Sequence, residues 1–388
     1  MSVIDLDRAE AAFDASVDGT VGIEEEFAIL DPESLDMVGR FEELRDSAAD
    51  DSGLSASIAG ELISSEIEIR SGAGSDLHDA IARQNDVRRR LFALAAARGV
   101  ELGATGTHPW ADYRRQHNID TEHYRRVVEG LQYVARRNNT FALHVHIGVN
   151  GADRAVQACD RLRPVLPALL AIGANSPFLE GCDAGLHSVR TQTFTKSFPR
   201  CGVPDAYGSW AVYRDYLEFL VRTASIVEDT QVWWSIRPHL AFGTVEVRIC
   251  DAQMTAAESD ALCGLIVACV LQAARDASDG VPFEHPANRL VEENMWRAIR
   301  FGRDGALIDL GSGAVRPVQA VLDGLLEWTA PVRAEGRIDP RFPECNGAQR
   351  QIAQRAEGAE LPEIYASTVT EARRTYGLAG TTQEASAP

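Results

Sequence analysis

Four stretches far apart in the chain share one chemical pattern. Thr244–Val245–Glu246–Val247–Arg248–Ile249 alternates polar with apolar residues, the period of a half-buried strand. Side chains two apart stand on one side of a strand, so Glu246 and Arg248 share a surface. Gly22–Ile29 presents Glu24 and Glu26 in the same way. Ile63–Arg70 presents Ser64, Glu66, Glu68 and Arg70, and Phe141–Gly148 presents His144 and His146. A carboxylate beside a guanidinium suits a metal–phosphate site, the acid holding a divalent cation and the arginine fork taking phosphate oxygens. For any one strand, a surface ion pair explains the residues equally well. Four such strands put many like charges on one face, which is costly unless cations neutralise them. Bound divalent metal, with a polyphosphate that brings more metal, is the simplest resolution.

Several elements must position these residues. The first strand is expected from about Val21 to Leu30 and the second over about Leu62–Arg70. Ser75–Asp76 caps a long helix to about Arg98, followed by a strand over Val100–Thr105 and the loop Gly106–Trp110. An amphipathic helix is expected over Thr121–Arg137, then the histidine strand, then a helix over Asp153–Ile172 that bends near Pro164 and Pro167. Residues 175–207 read as the longest irregular stretch, and a loop of that length is usually functional. A helix over Ser209–Asp229 precedes two antiparallel strands, Trp233–Leu240 and Thr244–Cys250. Thr255 and Glu258 open a buried helix to about Ala277, and four further helices follow. The order implies an α+β fold whose sheet is polar on its inner face and packed on helices outside. One domain over residues 18–376, with a frayed tail at 377–388, is expected.

Composition narrows the function classes. Hydrophobic content of 45% and charged content of 24% fit a soluble globular chain with an ample core. A net charge of −19 argues against nucleic acid and anionic membranes as partners. The 7 cysteines form no C-x-x-C pair, which fits free thiols in a reducing cytoplasm. There is no leader-like N-terminus and no run of 18 uninterrupted apolar residues. A homodimer is compatible with the sequence.

Glu24, Glu26, Glu68, His144 and Glu246 supply hard oxygen ligands and one imidazole, which suit Mg²⁺ or Mn²⁺ better than zinc. His144 and His146 as a zinc pair of an amidohydrolase is the competing reading, weakened by the acid-rich surroundings and the missing third histidine. A non-catalytic binder is a third reading, but it has no need of a repulsive carboxylate cluster. A Walker A loop is excluded, because the only lysine, Lys196, follows a threonine. ATP, if bound, would be held through metals and arginines, with Arg237, Arg248, Arg190 and Arg200 as candidates; a solvated loop charge is favoured for Arg200. Cys182 and Cys201 lie in the long loop with nothing nearby to activate them as nucleophiles.

The motifs Gly22-Ile23-Glu24-x-Glu26, Gly106-Thr107-His108-Pro109, His144-Val145-His146-Ile147-Gly148, Asn175-Ser176-Pro177-Phe178 and Ile236-Arg237-Pro238 through Phe242–Arg248 resemble, in order, those of the glutamate–cysteine ligase type 2 family. The resemblance runs from about residue 18 to about 375. It implies a glutamine synthetase-like fold, a curved antiparallel sheet forming a funnel with helices packed outside. It also implies ATP with Mg²⁺ or Mn²⁺, and small-molecule acid and amine substrates. Glu24, Glu26, Glu68, His144 and Glu246 would hold metal, with Glu246 and Arg248 catalytic. Arg248, Arg237 and His146 would contact ATP phosphates. Arg190, Asn175 and His108 would contact substrate. Family members carry an acid where this chain has Ser64, and Glu61 or Glu66 is the expected substitute. The implied reaction phosphorylates a carboxylate with ATP and then lets an amine displace phosphate, with glutamate and cysteine the default pair. The acceptor pocket is expected in the loops at 106–117 and 175–207.

Overall fold

Strand β1, Val21–Leu30, is the centre of a seven-stranded antiparallel sheet. A computed structural model describes residues 4–378, so residues 379–388 of the expected tail lie outside the described residues. The other strands are β2 (Ile58–Ala59), β3 (Glu66–Arg70), β4 (Glu101–Gly103), β5 (Ala142–Gly148), β6 (Ile236–His239) and β7 (Thr244–Asp251). Their order is β6-β7-β5-β1-β3-β2, with β4 paired to the end of β1. Every pairing is antiparallel, as the strands' alternating pattern predicts.

Alternation sorts the side chains into two faces. Ile23, Val145, Ile147, Val245, Val247 and Ile236 enter one buried cluster. The helices Ala152–Leu162, Leu166–Gly173 and Ala256–Ser278 contribute most of the rest of that cluster. Phe27, Ile29, Ile67 and Ile69 pack in a second cluster with the helix Leu77–Ala97. Ala256–Ser278 is the one described helix long and apolar enough to cross a membrane, and 83% of its apolar window is buried inside the protein.

Glu25 lies on this helix-facing side, an acid among apolar neighbours. It is satisfied by Arg88, itself 0% exposed, which donates Nε to Oε2 at 2.7 Å and Nη2 to Oε1 at 2.6 Å. Gln84 and Ser259 donate to the same carboxylate. Asp260 takes another Arg88 hydrogen bond at 2.7 Å, which ties the helices Leu77–Ala97 and Ala256–Ser278 to the central strand.

Several elements differ from the expectations. The helix expected over 121–137 is two pieces, Glu122–Leu131 and Tyr133–Arg136, broken where Gln132 takes a φ of 51°. The helix expected over 153–172 divides at Pro164 into Ala152–Leu162 and Leu166–Gly173, as the prolines require. The helix from 209 ends at Arg222. The stretch 175–207 is not a loop throughout. It contains the helix Val189–Ser197, N-capped by the Ser188 side chain on the Thr191 amide. Three threonines and a phenylalanine give that segment a weak helical propensity, and the cap with tertiary packing overrides it. In the β6–β7 turn, Gly243 has a φ of 62° and its Cβ position would meet the Ala12 carbonyl oxygen at 2.4 Å, so only glycine fits.

Replacing Arg88 with methionine leaves Glu25 as an uncompensated buried charge. The Arg88→Met variant is expected to lose about 3–5 kcal/mol of stability, read as a lowered denaturation midpoint.

Candidate active site

The strand register assembles the polar face row by row. Arg237 pairs with Glu246, Glu246 with His146, and His146 with Gly22. The next row sets His144 opposite Glu24 and Glu24 opposite Arg70. Beyond it, Glu26 faces Glu68. Residues from distant parts of the chain thus become neighbours through cross-strand pairing alone. They form the floor of a cavity of about 410 Å³. Its far walls come from the helices Glu122–Leu131 and Val189–Ser197 and from the segment around Trp233.

Glu246 is 1% exposed and joins two arginines, accepting from Arg237 Nε at 2.5 Å and pairing with Arg248. Burial would raise its carboxyl, but Arg237 and then Arg248 hold it well below the ordinary range. Glu24 is likewise held low, with His146 and His144 outweighing its burial. His144 Nδ1 lies 3.3 Å from Glu24 Oε2, and His146 Nε2 lies 3.4 Å from Glu24 Oε1 and 3.7 Å from Glu246 Oε1. Burial and the Arg248 charge push His144 down to about 3. His146 Nδ1 meets the Thr244 hydroxyl at 3.0 Å, which leaves Nε2 as the atom facing the carboxylates.

The other end of the face gathers four acids, Glu26, Glu61, Glu66 and Glu68. Glu26 is raised to about 7 by burial and then by the neighbouring Glu68 carboxylate. Glu61 is raised to about 7 by burial and then by Glu26. Glu66 and Glu68 are pushed well above the usual range, first by burial and then by the surrounding carboxylates. Arg70 pairs with Glu68 and lies 3.6 Å from Glu24, which offsets only part of this repulsion.

Three groups of ligand atoms lie within 4.8 Å of one another: Glu24 with Glu68 and His144; Glu24 with His146 and Glu246; and Glu26 with Glu61 and Glu68. The donor set of carboxylate oxygens and single imidazoles fits Mg²⁺ or Mn²⁺. Two buried atoms facing this cluster, His146 Nε2 and Glu66 Oε2, have no hydrogen-bond partner. No group among the described residues combines two histidines, so the geometry does not offer the zinc pair weighed above. His146, expected on phosphate, also has a ring nitrogen within 4.8 Å of ligand atoms of Glu24 and Glu246. Ser64 instead bonds the His117 carbonyl oxygen at 3.2 Å, and Glu61 fills the acid's place from a neighbouring loop.

Two residues expected on substrate, His108 and Asn175, are placed outside the cavity lining. His108 is 0% exposed and outside the cavity. Its Nε2 meets the Leu35 carbonyl oxygen at 2.8 Å, and its Nδ1 accepts from the Trp110 and Ala111 amides, so both ring nitrogens are consumed by the scaffold. Asn175 is also buried away from the cavity, with its amide nitrogen donating to Ala104 and Ala252 carbonyl oxygens. The expected pocket loop 106–117 contributes nothing to the lining, whereas residues 190–201 do. Arg190 lines the cavity and donates to the Ile249 carbonyl oxygen at 3.1 Å, while its Nε has no partner. Arg200 lies off the cavity with its guanidinium over Trp233 at 5.8 Å. The Cys201 thiol in the cavity wall is raised to about 12 by burial, which excludes a thiolate nucleophile.

Asp251 is the residue that the sequence pattern missed. It is 0% exposed at the end of β7 and accepts from the Asn175 amide at 2.8 Å, Ser176 Oγ at 2.7 Å and Ser188 Oγ at 3.0 Å. Arg190 Nη1 lies 3.5 Å from it. A Cβ at Gly106 would meet Asp251 Cγ at 2.6 Å, which explains the glycine of that motif. The signal was an acid five residues after Glu246 on the same strand, but off the rows that face the cavity.

The comparisons bear on this geometry. Residues 20–354 match the family model described as glutamate-cysteine ligase family 2 (GCS2). The chain belongs to the glutamate–cysteine ligase family 2. A relative from Solibacter usitatus, provisionally named glutamate–cysteine ligase 2, is 36% identical over 92% of this chain and 94% of its own length. One from Sorangium cellulosum with the same provisional name is 37% identical over 86% of this chain and 91% of its own. Among solved structures, a bifunctional glutathione synthetase from Pasteurella multocida superposes with a TM-score of 0.65 at 13% identity, over 95% of this chain and 54% of that one. A glutamate–cysteine ligase from Francisella tularensis in complex with AMP gives 0.57 at 11% identity, over 96% of both chains. These two likenesses show the fold. Membership of the glutamate–cysteine ligase family 2 and this fold support an ATP-dependent carboxylate–amine ligase.

The acid cluster sets two expected outcomes and Asp251 a third. Glu26 and Glu61 are raised from 4.5 to about 7 in the folded protein, so across that window the folded state binds more protons than the unfolded chain. Metal-free stability therefore falls as pH rises through it, and the melting temperature is expected to drop by at least about 2 °C between about pH 5.5 and about pH 7.5. Mn²⁺ is expected to raise the melting temperature more at the higher pH, because ligation needs the deprotonated carboxylates. Asp251→Ala orphans several buried donors and is expected to lose at least about 2 kcal/mol in a denaturant titration.

Proposed function

We propose that this protein joins the γ-carboxylate of L-glutamate to the amine of L-cysteine with ATP, giving γ-glutamylcysteine, ADP and phosphate. The observation that carries the reading is the single sheet face with five glutamates and two histidines, lined by two arginines with an unpartnered Nε, Arg248 on the face and Arg190 on the adjoining helix. The provisional names of the Solibacter and Sorangium relatives support the choice of substrates.

Glu24, Glu68, His144, His146, Glu246, Glu26 and Glu61 would hold Mg²⁺ or Mn²⁺ in the three groups already described. When bound, the cations would neutralise the polyphosphate and polarise the transferring phosphoryl group. Arg248 and Arg237 flank Glu246, and Arg248 Nε is a buried donor without a partner, suited to a phosphate oxygen. Arg190 offers its free Nε to the carboxylate of the acid substrate. Its backbone bonds to the end of β7 hold that charge in place.

The glutamate carboxylate oxygen attacks the γ-phosphorus, the bond to the β-phosphate oxygen breaks, and ADP leaves. The amine nitrogen then attacks the acyl carbon, the carbon–oxygen bond to phosphate breaks, and the amine proton departs with inorganic phosphate. Charge develops on the phosphoryl oxygens in the first step, and prearranged guanidinium groups stabilise it without reorganising. The enclosing walls limit water, so the acyl phosphate meets the amine first. No enzyme nucleophile is required, in keeping with the neutral Cys201 thiol.

The test is ADP release with Mg²⁺, ATP and glutamate across a panel of amines including cysteine. Release is expected to depend on an amine, and Glu246→Gln is expected to lower kcat by about 100-fold or more. Hydrolysis of an amide without ATP, and no amine-dependent ADP release, would replace the ligase reading with the amidohydrolase one.

A further inference from the structure

The cavity floor is charged, but one wall is not. Phe194, Phe198, Trp233, Cys201 and Thr195 line it with no ionisable charge among them, since burial keeps the Cys201 thiol neutral. The rings support one another. Phe194 and Phe198 stack with centroids 4.4 Å apart, and Phe198 meets Trp233 edge-on at 5.7 Å. Cys201 pairs with Trp233 in a short parallel ladder, which fixes the indole against the loop. Arg200 covers Trp233 from outside the cavity lining. Phe194 and Trp233 remain partly exposed, and that apolar surface faces the cavity. A partly exposed aromatic wall opposite a carboxylate cluster calls for a ligand that is charged on one side and apolar on the other.

The β6–β7 hairpin tells which ligand. A second aromatic pair, His239 stacked on Phe242 at 4.4 Å, lies at its turn. Trp233 precedes β6 and therefore lies at the opposite, open end of the hairpin, beyond Arg248. Arg190 is bonded to the Arg248 and Ile249 carbonyl oxygens at that same end. Thr244 and Ile249 are five residues apart, about 16 Å along a strand. The two aromatic features thus serve different parts of the cavity. Arg190 and Phe194 are four apart on one helix, so they present one face to the open end.

We infer that the wall of Phe194, Phe198 and Trp233 receives the side chain of the acceptor amine, which is apolar or thiol-bearing rather than charged. This rests on the ligase reading and on Arg190 as the anchor of the acid substrate. Cysteine satisfies it, because a thiol packs well against aromatic edges. So do aliphatic amino acids, whereas an aspartate acceptor would leave its carboxylate against the rings without a partner. Phe194 is the residue that sets how large that side chain can be.

The experiment compares wild type with Phe194→Ala and Phe194→Leu, each checked by thermal melting. ADP release is measured with cysteine, 2-aminobutyrate, leucine, lysine and aspartate as amines, alongside calorimetric binding of cysteine and leucine in the presence of a non-hydrolysable ATP analogue. The expected result is a kcat/KM for apolar amines at least about 10-fold above that for charged ones. Phe194→Ala is expected to raise the KM of the preferred amine about 10-fold and to weaken its calorimetric binding alike, with the KM of ATP unchanged, while Phe194→Leu stays within about 3-fold of wild type. A raised KM for ATP with amine KM unchanged would assign the wall to the nucleobase and overturn the inference, as would a preference for charged amines. Amine binding that Phe194→Ala weakens, without turnover by wild type, would uphold the wall and overturn the ligase reading instead. If every apolar amine fails both to bind and to be turned over, the inference is overturned.

Discussion

Electrostatic repulsion among carboxylates on one sheet face is the constraint on which the rest of this structure depends. Glu24, Glu26, Glu61, Glu66 and Glu68 crowd a cavity floor whose repulsion is relieved by Arg70, Arg190, two histidines and the Glu246 arginines. Such a cluster is unfavourable for folding, and the apolar burial on the other face has to outweigh it. The antiparallel register enforces the crowding. Once Glu24 faces His144 and Glu26 faces Glu68, no side chain on that face can turn away without flipping its strand to the wrong side.

The reverse face explains how the strands tolerate this. Val145, Val247 and Ile236 lie 0–1% exposed beneath helices that also bury Glu25 through Arg88. Adjacent residues of β1 therefore illustrate two solutions to one problem. Glu25 is neutralised permanently by a guanidinium, whereas Glu24 and Glu26 keep ligand atoms grouped with others within 4.8 Å. On β1 the carboxylate paired with a guanidinium ties helices to the strand, whereas Glu24 and Glu26 turn their oxygens to the cavity. The same contrast separates Arg88, with every neighbour satisfied by the scaffold, from Arg190 and Arg248, each with a free buried Nε.

This division also marks what the chain's pattern could reveal. Period-two alternation made β1 legible to the residue and placed the acids of three strands on one face, because side-chain direction in a strand follows from spacing alone. Glu61 was only one of two alternatives, since it sits outside any strand and reaches the cluster through tertiary folding. His108 and Asn175 looked chemical by residue type, yet His108 Nε2 and the Asn175 side chain bond backbone groups far away in sequence, a use that no local pattern encodes. Asp251 was overlooked for the converse reason. Its importance lies in gathering Asn175, Ser176, Ser188 and Arg190, partners scattered over a segment read as irregular. The helix Val189–Ser197 was hidden by threonines and revealed only by its Ser188 cap, which is itself held by Asp251.

That chain of dependence separates the chemistry of the site from its selectivity. The strand glutamates, the two histidines and Arg248 stand on β1, β3, β5 and β7, which are paired on both sides, so their spacing tolerates little change. The apolar wall hangs from one short helix and a two-residue ladder, tied to the floor chiefly through Ser188, Arg190 and Asp251. Substitution at Phe194 alters a surface that no sheet residue depends on, whereas substitution at Glu246 removes a partner from two arginines at once. A fold built this way can keep one reaction while changing which amine it accepts. Family membership therefore constrains the ATP-dependent carboxylate–amine ligase chemistry far more tightly than the identity of the acceptor.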